Sequence, residues 1–376
     1  MPSWPLRTEL RASRPARPTL RRPSYHELEE TNRPIPHPPH HPVPQDFLAT
    51  LRRDGLLRHP AATLTPLTDG VSSEIYRVDD GPDTFVVKRA LAQLRVKDEW
   101  LADVGRNRYE QLYIAYVARI LPRAVPALRL GSVDRGYFAM EFLGSEFSSW
   151  KQQMLRGQIQ PEAALRAASI LGAIHAHSAA DSEAERTFDT TANFIQLRID
   201  PYLVTTGKRH PDLQPLFDAE ATRLAATRLC LVHGDFSPKN LMVSPARMVL
   251  LDCEVAWYGD PAFDLAFLLT HFLLKALYHA QQQLNFEPMC AAFWQRYVDL
   301  AGHAIDTVAL EPRVARLLAM LLLARIDGKS PIEYLSEDQR VWVRNFARKT
   351  IQNGPSNLQD IFHPWFNQLK PSESPR

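Results

Sequence analysis

The stretch Leu231-Val232-His233-Gly234-Asp235-Phe236-Ser237-Pro238-Lys239-Asn240, followed by Val249-Leu250-Leu251-Asp252, carries most of what this chain discloses. Apolar runs and polar loops alternate in the order strand, loop, strand, turn, strand. The polar residues stand where the strands stop. Asp235 and Asn240 are five residues apart, and Asp252 closes the next apolar run twelve residues later. Phosphoryl transfer from ATP needs such a set. A carboxylate at Asp235 can hold and orient an attacking hydroxyl. Asn240 and Asp252 can supply oxygen ligands to magnesium, a hard cation. Asp, Ser, Pro and Asn are also ordinary turn residues, so the weight lies in the ordered whole, not in one pair.

The kinase loop pattern H-R-D-x-x-x-x-N has the same His-x-Asp and Asp-to-Asn spacing, with Gly234 here in place of the Arg. The 376 residues suffice for two lobes with real cores. A net charge of +2 gives no argument for nucleic acid or membrane partners. Cys230, Cys253 and Cys290 match no metal spacing, and a reduced, cytoplasmic setting is the simplest inference. The apolar run from Phe263 to Leu277 is interrupted by Asp264, His271 and Lys275, so it reads as a buried core helix and not a membrane span.

Residues 1–44 form an Arg/Pro-rich extension that cannot bury enough apolar surface to offset its ordering entropy. They are expected to be disordered, and their acid-poor start has some character of a transit peptide. An N-lobe is expected over 45–143: a short helix, strands, a helix from about 102 to 120, and two more strands. Beyond Gly144 the pattern turns helical, with helices near 161–177, 261–283, 288–301 and 312–326. This larger C-lobe is expected over 144–365, with 366–376 a flexible tail. The class is α+β and bilobal, without internal repeats.

Lys88 ends the strand Thr84-Phe85-Val86-Val87-Lys88, where a lysine can reach nucleotide phosphates. Its long stem needs a carboxylate partner; Glu110 on the following helix is the natural one, and Glu99 is a rival. Ser72 and Ser73, in the turn before that strand, could offer donors to phosphate. Glu141 and Leu143, in Met140-Glu141-Phe142-Leu143-Gly144, lie between the lobes, where extended backbone could meet an adenine edge. His233 is expected to pack within the catalytic loop. Asp264, in Gly259-Asp260-Pro261-Ala262-Phe263-Asp264, begins a helix and is expected to brace that loop.

These motifs resemble the aminoglycoside phosphotransferase and choline kinase superfamily, the small-molecule branch of the protein-kinase-like fold. The residues that carry the likeness are His233-Gly234-Asp235 through Asn240, Leu251-Asp252-Cys253-Glu254, and Gly259-Asp260-Pro261 through Asp264, with Lys88 and Glu110 matching more weakly. The likeness covers about residues 60–330. It implies a bilobal fold, ATP with Mg2+, a hydroxyl acceptor, Asp235 as catalytic base, and Asn240 with Asp252 as magnesium ligands. The stretch from Lys88 to Trp100 is also similar to methylthioribose kinase, whereas Ser237-Pro238-Lys239-Asn240 departs from the usual form of that enzyme.

The acceptor is less legible. Arg325, Asp327 and Lys329, at the end of a very apolar helix, could touch substrate, although a helix C-cap also explains such residues. Asn193, Arg198 and Tyr202 are weaker candidates. Acidic and basic residues are interspersed after Cys253, which tilts toward a sugar or amino alcohol and away from a cationic aminoglycoside. The expected partner is a small hydroxyl acceptor, with no nucleic acid or membrane, in a monomer or homodimer. The alternatives are an aminoglycoside-modifying phosphotransferase and, from another class, a catalytically weak nucleotide-binding scaffold.

Overall fold

Along Asp83–Ala90 side chains alternate between two buried faces, Phe85 and Val87 to one side, Val86 and Lys88 to the other. That alternation places a lysine on an inner face. The computed structural model describes residues 44–67, 73–90, 106–131, 136–280 and 286–369. The extension expected before residue 44, and with it Ser72 and Glu99, lies outside the described residues.

The N-lobe sheet comprises β1 (Thr63–Pro66), β2 (Ser73–Asp80), β3 (Asp83–Ala90), β4 (Leu128–Gly131) and β5 (Tyr137–Glu141), in the order β1-β2-β3-β5-β4. All pairs are antiparallel, with Ile75 opposite Lys88 and Lys88 opposite Phe138. The β2–β3 hairpin closes over two residues between Asp80 and Asp83, and Gly81 supplies the positive φ of 68°. Phe85 and Val87 join a small core under helix α1 (Pro44–Arg53), where Phe47 meets Tyr137 edge-on at 5.4 Å. Val86 belongs to the main core, which continues through helix α2 (Arg106–Ile120) into the C-lobe.

In the C-lobe, β6 (Ser148–Ser149) leads to a short helix, Trp150–Leu155, and then to α3 (Pro161–Ser178) and α4 (Gln214–Ala226). The three expected strands appear as β7 (Cys230–Val232), β8 (Leu241–Val243) and β9 (Met248–Leu250). They do not form one continuous hairpin. β8 pairs with β9 and β6, while β7 pairs with β10 (Trp257–Gly259). The loop between β7 and β8 is thereby free to turn into the interlobe cleft.

Helix α5 (Ala262–Tyr278) runs through the lobe centre, buried at nearly every position, and packs on α7 (Thr307–Asp327). Helix α6 (Phe286–Ala301) covers α3, and α8 (Glu337–Asn353) covers α7. The last helix, α9 (Gln359–Leu369), buries Phe366, so ordered structure passes the tail boundary expected at 366. No helix among the described residues is long and apolar enough to cross a membrane.

Candidate active site

The catalytic-loop candidate leaves β7 through Gly234, whose φ is +78°. A Cβ there would stand 2.5 Å from the Val255 carbonyl oxygen, so glycine is required twice over, by conformation and by space. Asp264 at the start of α5 accepts from the backbone N–H of His233 at 2.7 Å and of Gly234 at 2.9 Å. The His233 ring accepts from the Asp235 N–H at 3.0 Å through Nδ1, which leaves Nε2 to donate to the Leu251 carbonyl at 3.1 Å. That tautomer is neutral, and burial lowers the His233 pKa in the same sense. Asn240 closes the loop: its Nδ2 donates to the Asp235 carbonyl at 3.0 Å and its own carbonyl accepts from Leu251 N–H at 2.9 Å.

Asp235 itself is 18 % exposed, with Arg198 Nη2 3.2 Å from Oδ2. Arg198 also donates to the Gly234 and Leu197 carbonyls. It comes from Ile195–Val204, a π-helical segment that contains Pro201. Proline lacks the N–H that a helix interior uses, and such wide turns recur at functional sites. Arg198 and Tyr202 line the same cavity as Asp235, whereas Asn193 bonds the Glu254 carbonyl at 3.2 Å.

Lys88 and Glu110 are both buried, with Lys88 Nζ 2.8 Å from both Glu110 carboxylate oxygens and 2.6 Å from Asp252 Oδ1. Helix α2 is seated for this pairing by the Cys253 thiol, 3.7 Å from the Glu110 carbonyl, and by Tyr113, edge-on to His233 at 5.5 Å. Asp252 adopts a φ of +62°, a region asparagine and aspartate enter more readily than other side-chain-bearing residues. Such backbone positions concentrate at functional sites.

Glu110, Asp252 and Glu254 present carboxylate oxygens within 4.8 Å of one another. Burial alone would lower the Lys88 pKa, but Asp252, Glu110 and Glu254 outweigh it and hold the ammonium well above its usual range. Burial would raise Asp252, and Lys88 with Lys239 reverse that, holding it well below the ordinary carboxylate range. Glu110 is pushed up to about 7, first by burial and then by Asp252 and Glu254, against the pull of Lys88. Among the described residues, the three carboxylates gather around the Lys88 ammonium, with the charge of Lys239 also acting on Asp252. Oxygen donors so gathered fit a divalent hard cation.

The other sequence candidates are placed as follows. Ser73 begins β2 with its hydroxyl 3.5 Å from Glu254. The Glu141 side chain accepts from Arg247 at 3.0 and 3.3 Å, and its N–H donates to the Ala127 carbonyl at 2.8 Å; Leu143 follows, half-buried, at the lobe junction. Arg325 lines the cavity. Asp327 does not: it is held by Arg344 at 2.7 and 2.8 Å and by His210 at 2.9 Å. Lys329 likewise pairs with Asp200 at 2.7 Å, away from the cavity lining. Helix-end ion pairs, not substrate geometry, account for that charged run.

The cavity measures about 530 Å³ and takes in Asp235, Asp252 and Glu254 at one end. Lys151, His271, Lys275, Arg325 and Tyr334 line it as well. Glu254 comes from the turn that follows Asp252, whose positive φ breaks the strand, so no periodicity in the sequence points to it. His271 and Lys275 were visible only as interruptions of an apolar helix.

A family model described as "Phosphotransferase enzyme family" matches residues 63–297. The chain is 24% identical over 260 residues to a methylthioribose kinase of Pectobacterium atrosepticum, covering 61% of this chain and 65% of that protein. The chain therefore spans somewhat under two thirds of the curated relative's length. Its fold is similar to a choline/ethanolamine kinase family protein from Mesorhizobium loti, with a TM-score of 0.52 at 14% identity, covering 85% of this chain and 98% of that one. It is also similar to a choline kinase from Cryptosporidium parvum, with a TM-score of 0.50 at 11% identity, covering 87% and 98% of the two chains.

Proposed function

This chain belongs to the phosphotransferase enzyme family, and from that premise we propose that it is an ATP-dependent kinase acting on a hydroxyl of a small molecule. The observation that carries the reading is one cavity wall holding Asp235, Asp252 and Glu254, with Lys88 already clamped between Glu110 and Asp252.

In this reading the acceptor oxygen forms a bond to the γ-phosphorus of ATP. The bond from that phosphorus to the β–γ bridging oxygen breaks, and ADP leaves with its electron pair. The hydroxyl proton passes to the Asp235 carboxylate, oriented by Arg198. The transition state is loose, so positioning and charge neutralisation contribute more than covalent chemistry. Lys88 holds donor phosphates, and Glu110 fixes the lysine stem. Asp252, Glu254 and the Asn240 Oδ1 would hold magnesium, which when bound neutralises phosphate charge. Ser73 and the backbone around Glu141 and Leu143 would face the nucleotide.

The test incubates the full chain with magnesium and ATP against neutral sugars including methylthioribose, amino alcohols, aminoglycosides and anionic alcohols. Mass spectrometry detects acceptors that gain a phosphate. A product made by the wild type and lost in Asp235→Asn, with ATP still bound by the variant, supports the reading. ATP binding with no product in any class favours a scaffold instead, and absence of ATP binding refutes the kinase assignment.

A further inference from the structure

The cavity that holds the catalytic-loop residues is asymmetric in charge. Away from the carboxylate cluster it is lined by Lys151, Lys275, Arg325 and His271. Among the described residues, none of the three cations is in an ion pair. Lys151 sits on the short helix docked to the catalytic loop, its N–H donating to the Pro238 carbonyl at 2.8 Å. His271 and Lys275 are i and i+4 on α5, so they share one helix face. The Lys275 side chain is wholly buried, and its ammonium lies 5.3 Å from the Tyr334 ring centre.

Four buried polar atoms around this end have no hydrogen-bond partner: Lys275 Nζ, His271 Nδ1, Arg325 Nε and the Tyr334 hydroxyl. Each such atom loses hydration without a replacement bond, and an unpaired ammonium loses most. Arg325 is otherwise bound only to neutral groups, the Ser330 carbonyl and hydroxyl and the Tyr202 hydroxyl. Glu333, the carboxylate that acts on Lys151, is exposed. Burial first, and then the charges of Lys151 and Arg325, push Lys275 down to about 7. A natural core removes such a cluster unless something bound there completes it.

We propose that the acceptor is an anionic alcohol, with its carboxylate or phosphate held among Lys275, Arg325, Lys151 and His271 while its hydroxyl faces Asp235. The proposal rests on the phosphotransferase reading of the same cavity and narrows it. Two ends of opposite charge orient such a molecule without further contacts. A quaternary or primary amine at the far end would meet like charge, and a neutral sugar would leave the ammonium unpaired.

The test uses probes sharing a three-carbon hydroxylated backbone: glycerate, glycerophosphate, glycerol and aminopropanediol. Each is titrated calorimetrically into the full chain, with and without saturating magnesium–ADP. The expected result is that one or both anions bind at least about tenfold more tightly than glycerol or aminopropanediol. The two anionic arms distinguish carboxylate from phosphate. Lys275→Met, an unbranched apolar replacement one heavy atom shorter, erases the preference with magnesium–ADP affinity unchanged, and Lys151→Gln, at a half-buried position, weakens it. Equal or tighter binding of the neutral or ammonium probe overturns the proposal, as does an anion preference that survives both variants, or no binding of either anion. Failure to bind magnesium–ADP strikes the kinase reading instead, and the nucleotide-free titrations still judge the anion preference.

Discussion

Among the described residues, one end of the candidate-site cavity gathers Glu110, Asp252 and Glu254 around Lys88; the other gathers Lys151, Lys275, Arg325 and His271 with no paired carboxylate. The carboxylate end is largely buried; the other is buried at Lys275 and His271 and half-buried at Lys151 and Arg325. The difference teaches what each lacks. The carboxylate end gathers oxygen donors beside Lys88, which suits a magnesium–nucleotide. The cationic end keeps Lys275 desolvated and unbonded, which suits an anion. A protein that needed these groups only for stability would pair them, as it does Asp327 with Arg344 and Lys329 with Asp200 a few residues away.

The comparison can be broken most forcefully between its two ends, at Asp235. Asp235→Asn should lower kcat by about 10²–10⁴ while leaving nucleotide affinity intact, since general-base help is lost but no phosphate contact is. Steady-state kinetics beside calorimetric ATP titration would check this, and an equal loss of ATP affinity would show that Asp235 belongs to the nucleotide end. Asp252→Asn removes a charge from the carboxylate end. It should weaken magnesium-dependent ATP binding by more than about tenfold, about 1.4 kcal/mol, and leave glycerate or glycerophosphate binding unchanged. Anion affinity that fell in parallel would mean the ends are not separate.

The cationic end makes its own prediction on stability. In the unfolded chain Lys275 titrates near 10.5, and in the fold near 7. Between those values the unfolded state holds the extra proton, so this residue makes stability rise with pH across that window. Lys275→Met should therefore be a few kcal/mol more stable than wild type at neutral pH, and the gap should close toward pH 10.5. Urea unfolding at several pH values would show it; a variant destabilised at every pH would mean that Lys275 has a partner in solution. The smallest effect is the control: Lys329→Met breaks a pair about 30 % exposed on each side. It should cost at most about 1 kcal/mol and leave both ends' affinities unmoved.

The carboxylate end was the legible one. Asp235, Asn240, Asp252, Lys88 and Glu110 stand at the ends of apolar strands or on a helix at a readable spacing, because strand termini aim polar groups into a cleft. Those five reach one neighbourhood in the fold. Glu254 has no such signal: the left-handed Asp252 and the turn at Glu254 bring the two carboxylates together, and neither shows in the residue pattern. The cationic end was hidden. Lys275 and His271 sit on an apolar helix where a charge reads as an interruption, and Lys151 reaches the cavity by way of a backbone bond to Pro238 that no local pattern announces. Of the three charged residues at that helix end, Arg325 lines the cavity, while Asp327 and Lys329 turn to Arg344 and Asp200. In the fold, the bilobal plan followed from the switch of hydrophobic period near Gly144. The π-helical segment carrying Arg198 was not visible, since Pro201 argues against any helix there. Helix α8 left a sign that went unread: Ser336 and Gln339 form a capping box, and Gly354 closes the helix with φ of +67°.

The most direct test of the account is a calorimetric titration of ATP into the full chain with and without magnesium, repeated on Asp252→Asn. The account predicts tight binding with magnesium, a loss of at least about tenfold without it, and a variant for which magnesium makes little difference. ATP binding of equal strength in the absence of magnesium, or a magnesium dependence unchanged in the variant, would contradict it.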